Sequence, residues 1–139
     1  MGQTIVILEK DPKVAQYLVW GLRPHFQSVD VMESHDTLRE KVSTNQPEAL
    51  ILDIEHWRLT DVECLHREFP QLPIVCMHRI PDEEMWMAAL EAGATDICPT
   101  DDVRSVLTSV LRSLSLSRSS RLVAFERVIF VGQMDTWPH

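Results

Sequence analysis

Four consecutive apolar residues, Ala49 to Leu52, end abruptly in a carboxylate at Asp53. A run this short, apolar at every position, has no polar face to offer solvent. It belongs in the middle of a parallel sheet with helices on both sides. That requirement constrains the whole chain, because each parallel strand needs a crossover element before the next. Two further runs fit: Thr4 to Leu8, followed by Glu9-Lys10-Asp11, and Pro73 to Met77, followed by His78-Arg79. In open sheets of this kind, chemistry gathers beyond the carboxyl ends of the strands. Glu9, Asp53 and His78 are therefore expected along one edge.

The intervening segments read as helices. Asp11-Pro12 supplies an N-cap carboxylate and a first-turn proline, and Val14, Leu18 and Leu22 share an inner face before Pro24. Val29 to Met32 is a short strand. Ser34 or Asp36 then caps a helix through Leu38 and Val42, which the Asn45 to Pro47 stretch breaks. Thr60-Asp61-Val62-Glu63 reads as a capping box ahead of Leu65 and Phe69. A fourth helix is expected from Asp82 to Ala92, with Trp86, Ala89 and Leu90 inward and Gly93 as its stop signal. Thr95 to Cys98 is a fifth strand, and Thr100 is expected to cap a last helix carrying Val103, Val106, Leu107, Val110, Leu111 and Leu114. Five strand–helix units in strict alternation specify an α/β, doubly wound parallel sheet. The domain is expected to span residues 1–113. Residues 114–139 are expected to form a tail, as a helix extension or a covering segment.

At 139 residues the chain is one domain, large enough to bury a core without staples. The formal charge of −8 argues against nucleic acid as a partner, since little here would neutralise phosphates. No apolar stretch approaches membrane-spanning length and no signal core opens the chain, so a cytoplasmic protein is expected. Cys64, Cys76 and Cys98 lack metal-type spacing, and the last two lie in apolar runs where a thiol behaves as a small hydrophobe.

Taken together, the acidic cluster at Glu9 to Asp11, Leu50-Ile51-Leu52-Asp53, Leu72 to His78 and Glu91 to Thr100 make the chain resemble a response-regulator receiver domain of the chemotaxis type. The resemblance covers about Thr4 to Arg112. It implies a flavodoxin-like fold with strand order 2-1-3-4-5 and a phosphoacceptor at Asp53. It also implies a Mg²⁺-binding pair of acids after the first strand, because the metal neutralises the transferred phosphate. A hydroxyl after strand four and a lysine after strand five complete the family's set.

The match fails residue by residue at that chemistry. The first acid is Glu9, but the second position is Lys10, a cation where a divalent ion should sit, so Mg²⁺ is not expected. The hydroxyl position is His78, the lysine position Thr100, the proline after it Asp101, and the aromatic switch position Ile97. The segment after the acceptor reads His56, Trp57 and, further on, Asp61, where the family has Met-Pro and Gly. Lys10 is expected to pair with Asp53 and mimic a neutralised site. Glu9, Asp53 and Glu55 are the residues that would hold a metal if one bound. With His56 and His78 nearby, imidazole plus carboxylate would suit a transition metal, though no two-histidine helical motif supports one. His78 is also a candidate for titration beside Asp53, against the plainer role of an exposed loop histidine.

The reading is a degenerate receiver, a non-enzymatic signalling module acting by protein–protein contact without ordinary Asp phosphorylation. A histidine kinase, a downstream signalling protein or a second copy are the candidate partners. Met85, Met87, Ile97 and Val103 mark the expected contact surface, and Trp57 is expected either to cover the acidic pocket or to anchor a partner. Two alternatives stand beside it. One is a phosphorylatable receiver using Asp53. The other is a small-ligand binder at the same edge, disfavoured because no glycine-rich cradle is present.

Overall fold

A computed structural model describes residues 3–122, apart from the side chains of residues 35, 36 and 116–122. Its elements run β1 (Thr4–Leu8), α1 (Pro12–Leu22), β2 (Ser28–Met32), α2 (His35–Asn45), β3 (Ala49–Asp53), α3 (Leu59–Glu68), β4 (Ile74–His78), α4 (Glu83–Ala92), β5 (Asp96–Pro99) and α5 (Val103–Leu122). A single 3-10 turn at Arg23–His25 follows α1, where Pro24 forbids further helix. The five strands are parallel in the order β2-β1-β3-β4-β5, the flavodoxin-like arrangement expected from the sequence.

Strand alternation divides the core into two. Ile5, Ile7, Ala49, Ile51, Val75, Met77 and Cys98 face one side, with Leu18 and Leu22 of α1 and Val106, Val110 and Leu114 of α5. Val6, Leu8, Leu50, Leu52, Ile74, Cys76 and Ile97 face the other, with residues of α2, α3 and α4. Every residue of β3 is buried. Leu50, Ile51 and Leu52 are wholly inaccessible, each worth roughly 1.5–3 kcal/mol of apolar burial. This explains why β3 has no polar alternation.

Helix ends follow local chemistry, with two corrections. Asp11 caps α1 by accepting the Lys13 N–H at 2.9 Å, and Asp82 caps α4 by accepting the Met85 N–H at 2.8 Å, as expected. At α3, however, the reciprocal bond begins earlier. Asp61 accepts the Arg58 N–H at 2.9 Å, so Asp61 is an N3 residue and Thr60 already lies inside the helix. At α5 the cap is Asp102, which accepts the Ser105 N–H at 3.1 Å and the Ser105 hydroxyl at 2.7 Å, and not Thr100. The core face of α4 is Ala89 and Ala92, with Met85 and Trp86 packed beside them, while Leu90 is partly buried and lies outside that cluster. α5 runs without a break across the 113/114 boundary, and residues 123–139 lie outside the described residues. Among the described residues, no helix is long and apolar enough to cross a membrane.

Candidate functional site

The register of the sheet assembles the site. Leu8 pairs with Leu52, so the next residues along each strand direction, Glu9 and Asp53, emerge side by side. Both share the parity of Ile5, Ile7 and Ile51, which directs them to the face covered by α1 and α5. Glu9 and Asp53 are 1% and 2% exposed, two carboxyls enclosed at one sheet edge.

Asp53 also builds the loop that follows it. Its Oδ1 accepts the Glu55 N–H at 2.9 Å, and its backbone carbonyl accepts the His56 and Trp57 N–H groups at 3.2 and 3.1 Å. An aspartate that bonds the backbone two residues on favours such a turn. The turn carries His56 back over the carboxylates, with its Nε2 3.8 Å from Glu9 Oε2 and 3.8 Å from Asp53 Oδ2. One oxygen of Glu9, Oε2, accepts the Asp11 N–H at 3.1 Å, while Oε1 has no hydrogen-bond partner among the described residues. Burial, with the Asp53 carboxyl alongside, pushes the Glu9 carboxyl up to about 8.

The expected Lys10–Asp53 ion pair is not formed. The Lys10 ammonium lies 4.8 Å over the Trp57 ring, a cation–π contact, and the imidazole of His56 takes the place beside the carboxylates. Trp57 itself packs against the core on the α2–α4 side. Glu55 is also engaged elsewhere. It accepts the Arg79 N–H at 2.7 Å and lies 3.6 Å from the Arg79 guanidinium, tying the loop after β3 to the loop after β4. His78 Nδ1 accepts the Ile80 N–H at 3.1 Å, closing its own turn. Of the proposed metal-holding residues, then, Glu9 and Asp53 converge and Glu55 does not. His56 completes the group in its place. The signal for His56 in the sequence is its position three residues after an aspartate suited to a side-chain turn.

Beside the carboxylates opens a cleft of about 680 Å³ lined by α1 residues Asp11, Lys13, Val14 and Tyr17, by Glu55, His56 and Arg79, and by Thr100 and Asp101. Tyr17 donates its hydroxyl to the Asp101 carbonyl at 3.0 Å, pinning α1 to the loop after β5. Thr100 is buried, and its Oγ1 lacks a hydrogen-bond partner among the described residues.

No protein-family model matches the chain. A protein-glutamate methylesterase/protein-glutamine glutaminase of Syntrophotalea carbinolica is 30% identical over 118 residues, covering 79% of this chain and 33% of that protein. The chain thus spans about a third of the length of this curated relative. Among solved structures, the N-terminal signal receiver domain of a Bacteroides fragilis response regulator superposes with a TM-score of 0.73 at 22% identity, covering 81% of this chain and 96% of that one. NtrX from Brucella abortus, solved with ADP, gives 0.78 at 19% identity, over 91% of this chain and 29% of that one. An atypical orphan response regulator, described as revealing a phosphorylation-independent regulatory mechanism, gives 0.70 at 16%, over 81% and 96%. The fold is that of a response-regulator receiver domain.

Measured against the receiver pattern, the pocket does not fit Mg²⁺. That ion requires a near-octahedral shell of oxygens, several of them water. Here the second acid is Lys10, Asp11 caps α1, Glu55 serves Arg79, and an imidazole nitrogen faces both remaining carboxylates. The partner surface expected on the receiver also needs correction, because its four residues do not form one exposed patch. Met87 is half-exposed, but Ile97 is only 7% exposed and Met85 packs against the same core cluster. Val103 lies on the opposite face of the sheet, against Gly21 of α1, so close that a Cβ at residue 21 would fall 2.5 Å from Val103 Cγ2.

Proposed function

We propose that this chain is a receiver-fold signalling module that works by binding a protein partner and is not switched by ordinary phosphorylation of Asp53. The observation that carries this reading is the state of the acidic pocket. Lys10 replaces a metal-binding acid and is held on Trp57, while His56 covers the two carboxylates. Phosphoryl transfer to a carboxylate relies on a metal and a fixed cation to neutralise charge on the transferred group. The second acid position after β1 carries Lys10, and the cation position after β5 carries Thr100. His78 and Ile97, at the positions that relay phosphorylation in receivers, are occupied by a backbone contact and by core packing respectively.

The partner is a protein, with a histidine kinase, a downstream signalling protein or a second copy as candidates. The net charge of −8 disfavours nucleic acid, and the setting is the cytoplasm. The module is not itself an enzyme, and the esterase and glutaminase activities named for the larger relative are not carried over to it. A phosphorylatable Asp53 is the rival reading, favoured by the open cleft at its side.

The test is the intact mass of the protein after incubation with a small phosphodonor and Mg²⁺, alongside Asp53→Ala. No adduct on a folded protein is expected. A phosphoryl adduct that disappears in the variant would overturn the proposal in favour of the rival.

A further inference from the structure

We propose that Glu9, Asp53 and His56 form a binding site for a divalent transition metal of the zinc type, distinct in donor chemistry from the magnesium site of receivers. The donor atoms of the three side chains all lie within 4.8 Å of one another. The imidazole Nε2 is 3.8 Å from an oxygen of each carboxylate. Ligands about 2.0–2.2 Å from a tetrahedral zinc ion stand roughly 3.4 Å apart, so each imidazole–carboxylate pair needs to contract by a few tenths of an ångström, and the two carboxyls, within 4.8 Å, by no more than about 1.4 Å.

Two further observations point to a ligand. Among the described residues, Glu9 is 1% exposed yet its Oε1, the oxygen that does not receive the Asp11 N–H, has no hydrogen-bond partner, and Thr100, 7% exposed, leaves Oγ1 without one on the wall of the adjoining cleft. A buried carboxyl oxygen without a partner is costly, and a cation bound between Glu9 and Asp53 would offset that cost. The chemistry of the set selects which cation. Mg²⁺ prefers an all-oxygen octahedron, whereas one imidazole with two carboxylates suits zinc, cobalt or nickel. Three protein ligands leave a fourth position for water, and the cleft of about 680 Å³ provides the access. Lys10, the cation that would compete, is engaged by the Trp57 ring. The site needs neither a partner protein nor a phosphoryl group, so it stands or falls apart from the function proposed above.

The test is titration of the untagged, metal-free chain with Co²⁺ followed by visible absorption, with Zn²⁺ as competitor and Mg²⁺ as control. A ligand-field band is expected that Zn²⁺ displaces and Mg²⁺ does not. His56→Ala should weaken Co²⁺ binding at least about tenfold, and Glu9→Gln should weaken it as well. His78→Ala should leave it unchanged, since that side chain bonds its own turn. His56 lies in a loop and is substantially exposed, so its variant is expected to fold, which circular dichroism checks. The absence of a band, a band unaffected by His56→Ala, or loss of the band in His78→Ala would each overturn the assignment.

Discussion

Glu9 illustrates how one residue is set by its neighbours. In the unfolded chain its carboxyl ionises near 4.5, whereas in the fold burial raises it to about 8. Between those values the unfolded chain has released the proton and the folded chain retains it. Its contribution to stability is therefore greatest below about 4.5 and declines as pH rises towards about 8. In chelated buffer, thermal melts should show the protein losing stability across that interval, and Glu9→Gln should flatten the profile. An unchanged slope in the variant would place the dependence elsewhere. Asp53, one strand over, spends one carboxylate oxygen and its carbonyl on the following turn, so the residue in the acceptor position is also the organiser of its loop.

At the scale of elements, the junctions are where local conformation is least negotiable. α4 ends at Gly93, whose φ of 111° lies in the left-handed region, and a Cβ there would stand 2.5 Å from the His66 ring of α3. Backbone strain and steric overlap act together, so Gly93→Ala should destabilise by more than about 1 kcal/mol, measured by urea unfolding. A neutral result would mean that His66 moves aside freely. β3 shows the complementary constraint, a strand whose every side chain is enclosed, which is why its apolar run was readable at once. The helix caps were less legible. Thr60 and Thr100 have the right chemistry, but which of several neighbouring Ser, Thr and Asp residues becomes the cap depends on where the chain leaves the sheet. Asp102 became the cap of α5, while at α3 Asp61 serves from N3, inside the first turn.

For the molecule as a whole, the two-sided core sets where the domain can be cut. Leu114 is 6% exposed and packs with Val106 and Val110 against the α1 side of the sheet, beyond the boundary expected at residue 113. A chain ending at Ser113 should be less stable than one ending at Leu122 by about 2 kcal/mol or more, the order of removing a buried leucine. Equal unfolding midpoints would show that the end of α5 contributes nothing. The order and kind of the elements and the placement of Glu9 and Asp53 at one edge were determined by the sequence itself, while the strand order was implied by the resemblance to receivers. Apolar runs, caps and proline or glycine stops are local signals, and they impose alternating parallel strands whose register follows. The tertiary structure alone decided what surrounds the carboxylates. Lys10, one residue from Glu9 and charged to suit Asp53, went to the Trp57 ring, and His56 came in on a turn that Asp53 itself makes. It also decided that Ile97 and Val103, neighbours in the expected contact surface, belong to opposite faces of the sheet. Charge and spacing in a sequence say which pairings are allowed. Which one forms depends on side-chain direction and loop path, and those are fixed only when the sheet and its helices are packed.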